Sequence, residues 1–149
     1  ASMAADALEI LVRNGFKAKE ATQALSGVLQ LAQSQAVSLA EAADIATRTI
    51  RGFGLQVTDL GRVNDVLASA AANSASNVLE FSEALKIASP VAATLGISIE
   101  ETMTALGELG NKGLRGSDAG TAIKQILTRI ASQTPEAQKV LKKYGLEIY

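Results

Sequence analysis

Cysteine, histidine and tryptophan are absent from this sequence, and proline occurs only twice in 149 residues. Without cysteine there is no disulfide framework and no thiolate zinc site. Without histidine, the commonest transition-metal ligand and general base is missing as well, which leaves carboxylate, lysine, tyrosine and hydroxyl chemistry. No cofactor and no metal are expected. Aromatic residues make up 3% of the chain, too few to build the stacking platforms that sugar-cleaving sites use. Residues 21–40 carry no charge, yet Gln23, Ser26, Gln30, Gln33, Ser34 and Gln35 interrupt them. No transmembrane segment is therefore expected. The net charge of −1 lacks the basic excess typical of nucleic-acid binders, and no nucleic-acid binding is expected.

What is present is aliphatic. Hydrophobic residues reach 48%, mostly Ala, Leu, Ile and Val. Alanine is the strongest helix former, and small side chains let helix axes approach closely. No run alternates with period two, so no strand is expected. The length suits one domain, or a fragment of a larger protein, with a sizeable core. The predicted fold is all-α: a compact multi-helix domain of about seven to eight short helices, with no sheet.

Along the chain, a helix is expected from Met3 to Arg13 with Leu8, Leu11 and Val12 inward, closed by Asn14-Gly15. The opening Ala1-Ser2-Met3 is open to reading as a cloning scar. A second helix, Ala18 to Ser34, places Leu25, Val28, Leu29 and Ala32 on one face. Ser38-Leu-Ala-Glu41 has the form of a capping box, starting a helix that ends at Gly52-Phe-Gly54. Thr58-Asp59 is the next expected start, with Leu60, Val63, Val66, Leu67 and Ala70 buried. Ser76 or Asn77 caps a helix carrying Val78, Phe81, Leu85 and Ala88. Pro90 removes a backbone donor there, so a kink or break is expected near Ile87 to Ser89. Ser98-Ile-Glu-Glu101 repeats the capping box before Met103, Leu106 and Leu109. A helix with Ile123, Ile126, Leu127 and Ile130 follows, and Pro135 opens a last one reaching about Tyr144.

The two capping boxes lie 60 residues apart, and that offset aligns Ala24-Leu25 with Ala84-Leu85, Val63 with Ile123 and Leu67 with Leu127. The domain reading is an N-terminal helix in 1–16, a helical core in 17–132 and a short C-terminal helix and tail in 133–149. The core divides into two related three-helix units, 17–74 and 77–132. Charge is uneven across the chain. Residues 1–111 carry 7 Lys/Arg against 12 Asp/Glu, while 112–149 carry 7 against 3. Two solvated faces explain this, and so does head-to-tail association.

The richest local signal is Gly110 to Ile123. A phosphate loop would need Gly-Lys-Ser/Thr at the helix start, and a dinucleotide fold would need G-x-G-x-x-G after a strand. Neither is present, and Asp118 in the first turn would repel an anion. Gly113, Gly116 and Gly120 are therefore read as turning and close-packing positions, with Ser117 or Asp118 as the N-cap. Arg115 is the candidate partner contact, and Pro90 completes the set of structural or interaction residues. Glu80/Glu83 and Glu100/Glu101 are read as helix-start acids rather than a catalytic pair. Lys139, Lys142 and Lys143, with Arg48 and Arg51, are read as helix C-terminal charges.

Taken in order, ALEILVRNGFKAKEATQALSGVLQLAQ, SLAEAADIATRTIRGFGL, RVNDVLASAAANS, EALKIASPVAATLGISIEET and GNKGLRGSDAGTAIKQIL resemble the core region of phage tail tape measure proteins. GLRGSDAGTA and the preceding Ala88-Ser-Pro-Val-Ala-Ala-Thr-Leu-Gly96 are the most distinctive parts, and the resemblance covers nearly all of 7–131. It implies a non-enzymatic structural role in a phage or prophage tail: the protein fills the tail lumen before DNA ejection, and the tube polymerises around it to a matching length. It also implies the tail tube protein, tail assembly chaperones and tail-tip initiator proteins as partners, with self-association. The implied location is the virion tail, and the host cytoplasm during assembly. No peptidoglycan-cleaving motif is present to carry over. As one helix, 149 residues would span about 220 Å, short for a tail, so a piece of a longer chain is expected. The alternative is a helical adaptor of a bacterial protein.

Overall fold

The computed structural model describes residues 2–132 and 135–143. Among them are eight α-helices and one 3-10 turn, with no strand: α1 (Met3–Arg13), α2 (Ala18–Gln35), α3 (Leu39–Gly52), the turn Val57–Asp59, α4 (Leu60–Ala72), α5 (Val78–Thr94), α6 (Ile99–Asn111), α7 (Gly116–Ala131) and α8 (Pro135–Lys143). The fold is all-α, as the composition requires. The expected end of the last helix at Tyr144 lies outside the described residues.

Local chemistry sets most helix starts. Ser2 Oγ accepts from the Ala5 amide at 3.1 Å and caps α1. At α3 the Glu41 amide donates to Ser38 Oγ at 3.1 Å, and the Ser38 amide donates to Glu41 Oε2 at 2.9 Å. Ser98 and Glu101 repeat this exchange at α6 with the same two distances. Asn77, rather than Ser76, caps α5 by accepting from the Glu80 amide at 2.9 Å. Each cap satisfies a donor that the first helical turn leaves without a partner.

Two starts differ from expectation. Before α4, Thr58 and Asp59 do not act as the N-cap. Instead the Gln56 amide donates to Asp59 Oδ2 at 2.9 Å, closing a single 3-10 turn that leads into Leu60. At α7 the helix begins at Gly116 with Arg115 in the capping position, so Ser117 and Asp118 lie inside the first turn. Pro90 causes no break: α5 runs through it from Val78 to Thr94. The proline is exposed while Phe81, Leu85, Ala88, Val91 and Ala92 are buried. Packing along that length offsets one lost backbone bond.

The core is one cluster reaching from Leu11 on α1 to Ile123 on α7. α2 packs on α1, α3 and α4, while α5 packs on α3, α4, α6 and α7. On α2 the buried residues are Ala21, Ala24, Val28, Leu31 and Ala32, and the expected Leu25 and Leu29 are only half-buried. The helix turns its alanines inward because three neighbouring helices crowd it and small side chains allow that approach. Val12 on α1 is exposed for a related reason, with Ala7 and Leu11 taking the inward face. Buried Thr47 and Thr49 return their hydroxyls to the Ala43 and Ile45 carbonyls, each at 2.7 Å. Those bonds let polar residues sit in an apolar layer at little cost.

Candidate functional site

The residues singled out around the glycine-rich break fall at the α6–α7 junction and along the seam between α5 and α7. Gly113 and Gly116 have φ of +92° and +59°, so the chain reverses there through conformations that favour glycine. Gly120 has a different task. A Cβ built on it would lie 2.5 Å from the Ala84 carbonyl oxygen and 2.9 Å from Ala84 Cα, so α7 lies directly on the α5 backbone. Arg115 is exposed and reaches back over the break, its Nε 3.5 Å from the Gly110 carbonyl.

The fold brings some of these residues together. Arg115, Gly116 and Ser117 face Asn77, Glu80 and Glu83 of α5 across a shallow recess. Ser117 and Pro90 share the wall of a second recess with Lys86 and Lys124. Gly113 and Asp118 line neither. An anion at the α7 N-terminus would meet Asp118 in the same turn and the Glu80 and Glu83 carboxylates opposite. The recess is thus electrostatically unsuited to phosphate.

The acidic pairs are also accounted for individually. Glu80 Oε1 accepts from Asn77 Nδ2 at 3.2 Å, Glu83 lies 3.9 Å from Arg48, and Glu101 closes a capping box. Glu100 forms a two-point pair with Arg62, whose Nη2 donates to Glu100 Oε2 at 2.8 Å. That guanidinium holds the Glu100 carboxyl down at about 2. Arg48 and Arg51 are more than terminal charges. Arg48 donates to Ser82 Oγ at 2.9 Å, tying α3 to α5, and Arg51 stands 5.6 Å over the Phe16 ring. Among the described residues no cluster of three acidic side chains is placed to hold a metal ion, and no helix is long and apolar enough to cross a membrane.

The most developed concavity was not anticipated. It lies between α4 and α6, about 420 Å³ in volume, with Val66, Ala70 and Met103 among its apolar residues and Asp65, Glu100 and Glu108 at its edge. Gly107 helps keep it open, because the nearest atom a Cβ there would meet is Ser74 Cβ at 3.6 Å. Gly107, a glycine inside a strong helical pattern, was the available sequence signal. The Arg62–Glu100 pair spans 38 residues and left none.

Capping boxes, helix-to-helix ion pairs and glycine contacts make this a helical scaffold, with its polar groups engaged in structure. The chain belongs to the family of phage-related minor tail proteins, whose model matches residues 1–149. It is 36% identical over its full length to a tape measure protein of Pneumococcus phage Dp-1, and 30% identical over 140 residues, 93% of the chain, to a probable tape measure protein of Escherichia phage P2. It spans only 13% and 17% of those two proteins. No solved structure matches it.

Proposed function

We propose that this chain is a compact helical segment of a phage tail tape measure protein. In this reading the complete protein templates tail-tube assembly, sets the tail length and occupies the lumen until DNA is ejected. The observation that carries the reading is the match to tail-protein sequence across the whole chain, with tape measure proteins as relatives. Its partners would be the tail tube protein, the assembly chaperones and the tail-tip initiator proteins. It would act in the virion tail, and in the host cytoplasm during assembly. The segment's own contribution is structural, with Arg115 and the α5–α7 seam as candidate contacts. The 17–74 and 77–132 stretches are two related three-helix units, consistent with α2 and α5, and α3 and α6, each starting 60 residues apart.

The longest helix has 18 residues, about 27 Å at 1.5 Å per residue. Folded in this way, the segment is far shorter than the ~220 Å of a continuous helix. The test is an in-frame duplication of residues 1–149 within the complete parent protein, with tail lengths read by electron microscopy. Longer tails are expected, with ~220 Å as the upper bound for a fully helical insertion. Unchanged lengths in viable particles would remove the ruler role from this segment.

A further inference from the structure

The α4–α6 groove combines an apolar floor with an acidic edge. No Lys or Arg lines it. Arg62 at one end is already paired with Glu100, and Asp65 and Glu108 have no cationic partner among the described residues. A helix presenting apolar and cationic side chains together would cover the floor and neutralise the edge. This chain carries one. In α8, Pro-Glu-Ala-Gln-Lys-Val-Leu-Lys-Lys, apolar Val140-Leu141 is flanked by Lys139 and Lys142, and both lysines are exposed. Its nine residues make about 13 Å of helix, which fits along the roughly 20 Å of α4 or α6. The segment 112–149 has 7 Lys/Arg against 3 Asp/Glu, the reverse of the remainder of the chain. Within one molecule α8 packs on α7, which leaves the groove to another molecule's α8.

We propose that the α4–α6 groove receives α8 of a second copy of this chain, giving head-to-tail association. Groove and helix are different surfaces, so the contact is heterologous and each added copy exposes a fresh groove or a fresh α8. A surface this small gives a weak complex. The inference rests on charge and shape, and it stands or falls separately from the tail-length role.

The test is sedimentation velocity on the 149-residue chain from about 10 µM to about 1 mM at low salt, where weak charge-assisted association is visible. The average mass should rise with concentration. Asp65→Lys with Glu108→Lys should weaken association at least about tenfold, and so should Lys139→Glu with Lys142→Glu. Mixing the two double variants should restore it, because each then offers a groove that complements the other's helix. Circular dichroism confirms that all variants stay folded. A chain that is monomeric at about 1 mM, association indifferent to either charge reversal, or a mixture without rescue would each overturn the proposal.

Discussion

Helices α2 and α4 meet through Gly27, where an added Cβ would lie 2.7 Å from Leu60 Cδ2. Helices α5 and α7 meet through Gly120, where it would lie 2.5 Å from the Ala84 carbonyl oxygen. With the two proposed units superposed at a 60-residue offset, Gly27 corresponds to Ile87 and Leu60 to Gly120. The glycine has changed sides. In the first pair a side chain fills the space above the glycine; in the second a backbone does. A leucine side chain can turn aside, whereas a helix backbone cannot move without its whole helix. The same contact type therefore yields one tolerant joint and one intolerant joint.

The largest effect should come from emptying the tolerant joint. Leu60→Ala removes a buried side chain and should lower stability by about 3 kcal/mol, measured by urea unfolding. Adding Gly27→Ala to it should recover about 1 kcal/mol through helix propensity and partial refilling. A double variant no better than the single one would show that Gly27 and Leu60 are not complementary.

Next comes the intolerant joint. Gly120→Ala should cost about 2 kcal/mol in spite of the helix-propensity gain, a fall of about 7 °C in Tm. Gly27→Ala alone should stay within about 1 kcal/mol of the parent because Leu60 can rotate. Equal Tm values for the two variants would erase the distinction between side-chain and backbone contact.

A smaller contrast lies where α2 and α5 end. Ala36 closes α2 at φ +53°, while Gly96, 60 residues on, follows α5 at φ +74°. The left-handed conformation costs a residue with a Cβ about 1 kcal/mol. Gly96→Ala should therefore destabilise by about that amount. Ala36→Gly should stabilise by about half as much, since glycine also frees the unfolded chain. Shifts of the same sign in thermal melts would contradict the backbone assignment.

The smallest effect concerns the Arg62–Glu100 pair that joins α4 to α6. The Glu100 carboxyl is lowered to about 2, mainly by its hydrogen bond from Arg62. A lowered carboxyl contributes stability above its ordinary value and loses it as pH falls toward the folded-state value. Glu41, lowered first by the Ser38 backbone amide, acts in the same direction. Glu100→Gln should cost less than about 1 kcal/mol at pH 7, because the pair is half-exposed. It should also flatten the stability profile between about pH 4.5 and 2. A profile parallel to the parent's would mean that the pair contributes nothing to the acid limb.

The capping boxes at Ser38–Glu41 and Ser98–Glu101 were legible because both partners lie within one turn, where spacing alone defines the bond. The α4 and α7 starts were less legible. Asp59 has the right residue type but bonds backward to Gln56, and α7 begins one residue before Ser117. Propensity does not distinguish a cap from a residue inside the first turn. The inward face of α2 was misjudged because large aliphatic residues outweighed alanine in the pattern, while three crowding helices select alanine. At the candidate site, Gly113 and Gly116 could be read as turn residues, but nothing local shows that Gly120 rests on Ala84, 36 positions earlier. The α4–α6 groove was invisible for the same reason.

By itself the sequence determined the chemistry that is missing, the helical class, the order of the helices and most of their caps, all of which depend on composition or on residues three or four positions apart. Only the tertiary structure decided which face of each helix turned inward, that α5 continues through Pro90, which glycines carry turns and which carry contacts, and that Arg62 finds Glu100. Those outcomes depend on how closely helices distant in sequence approach one another. That distance is set by the packing of the whole core.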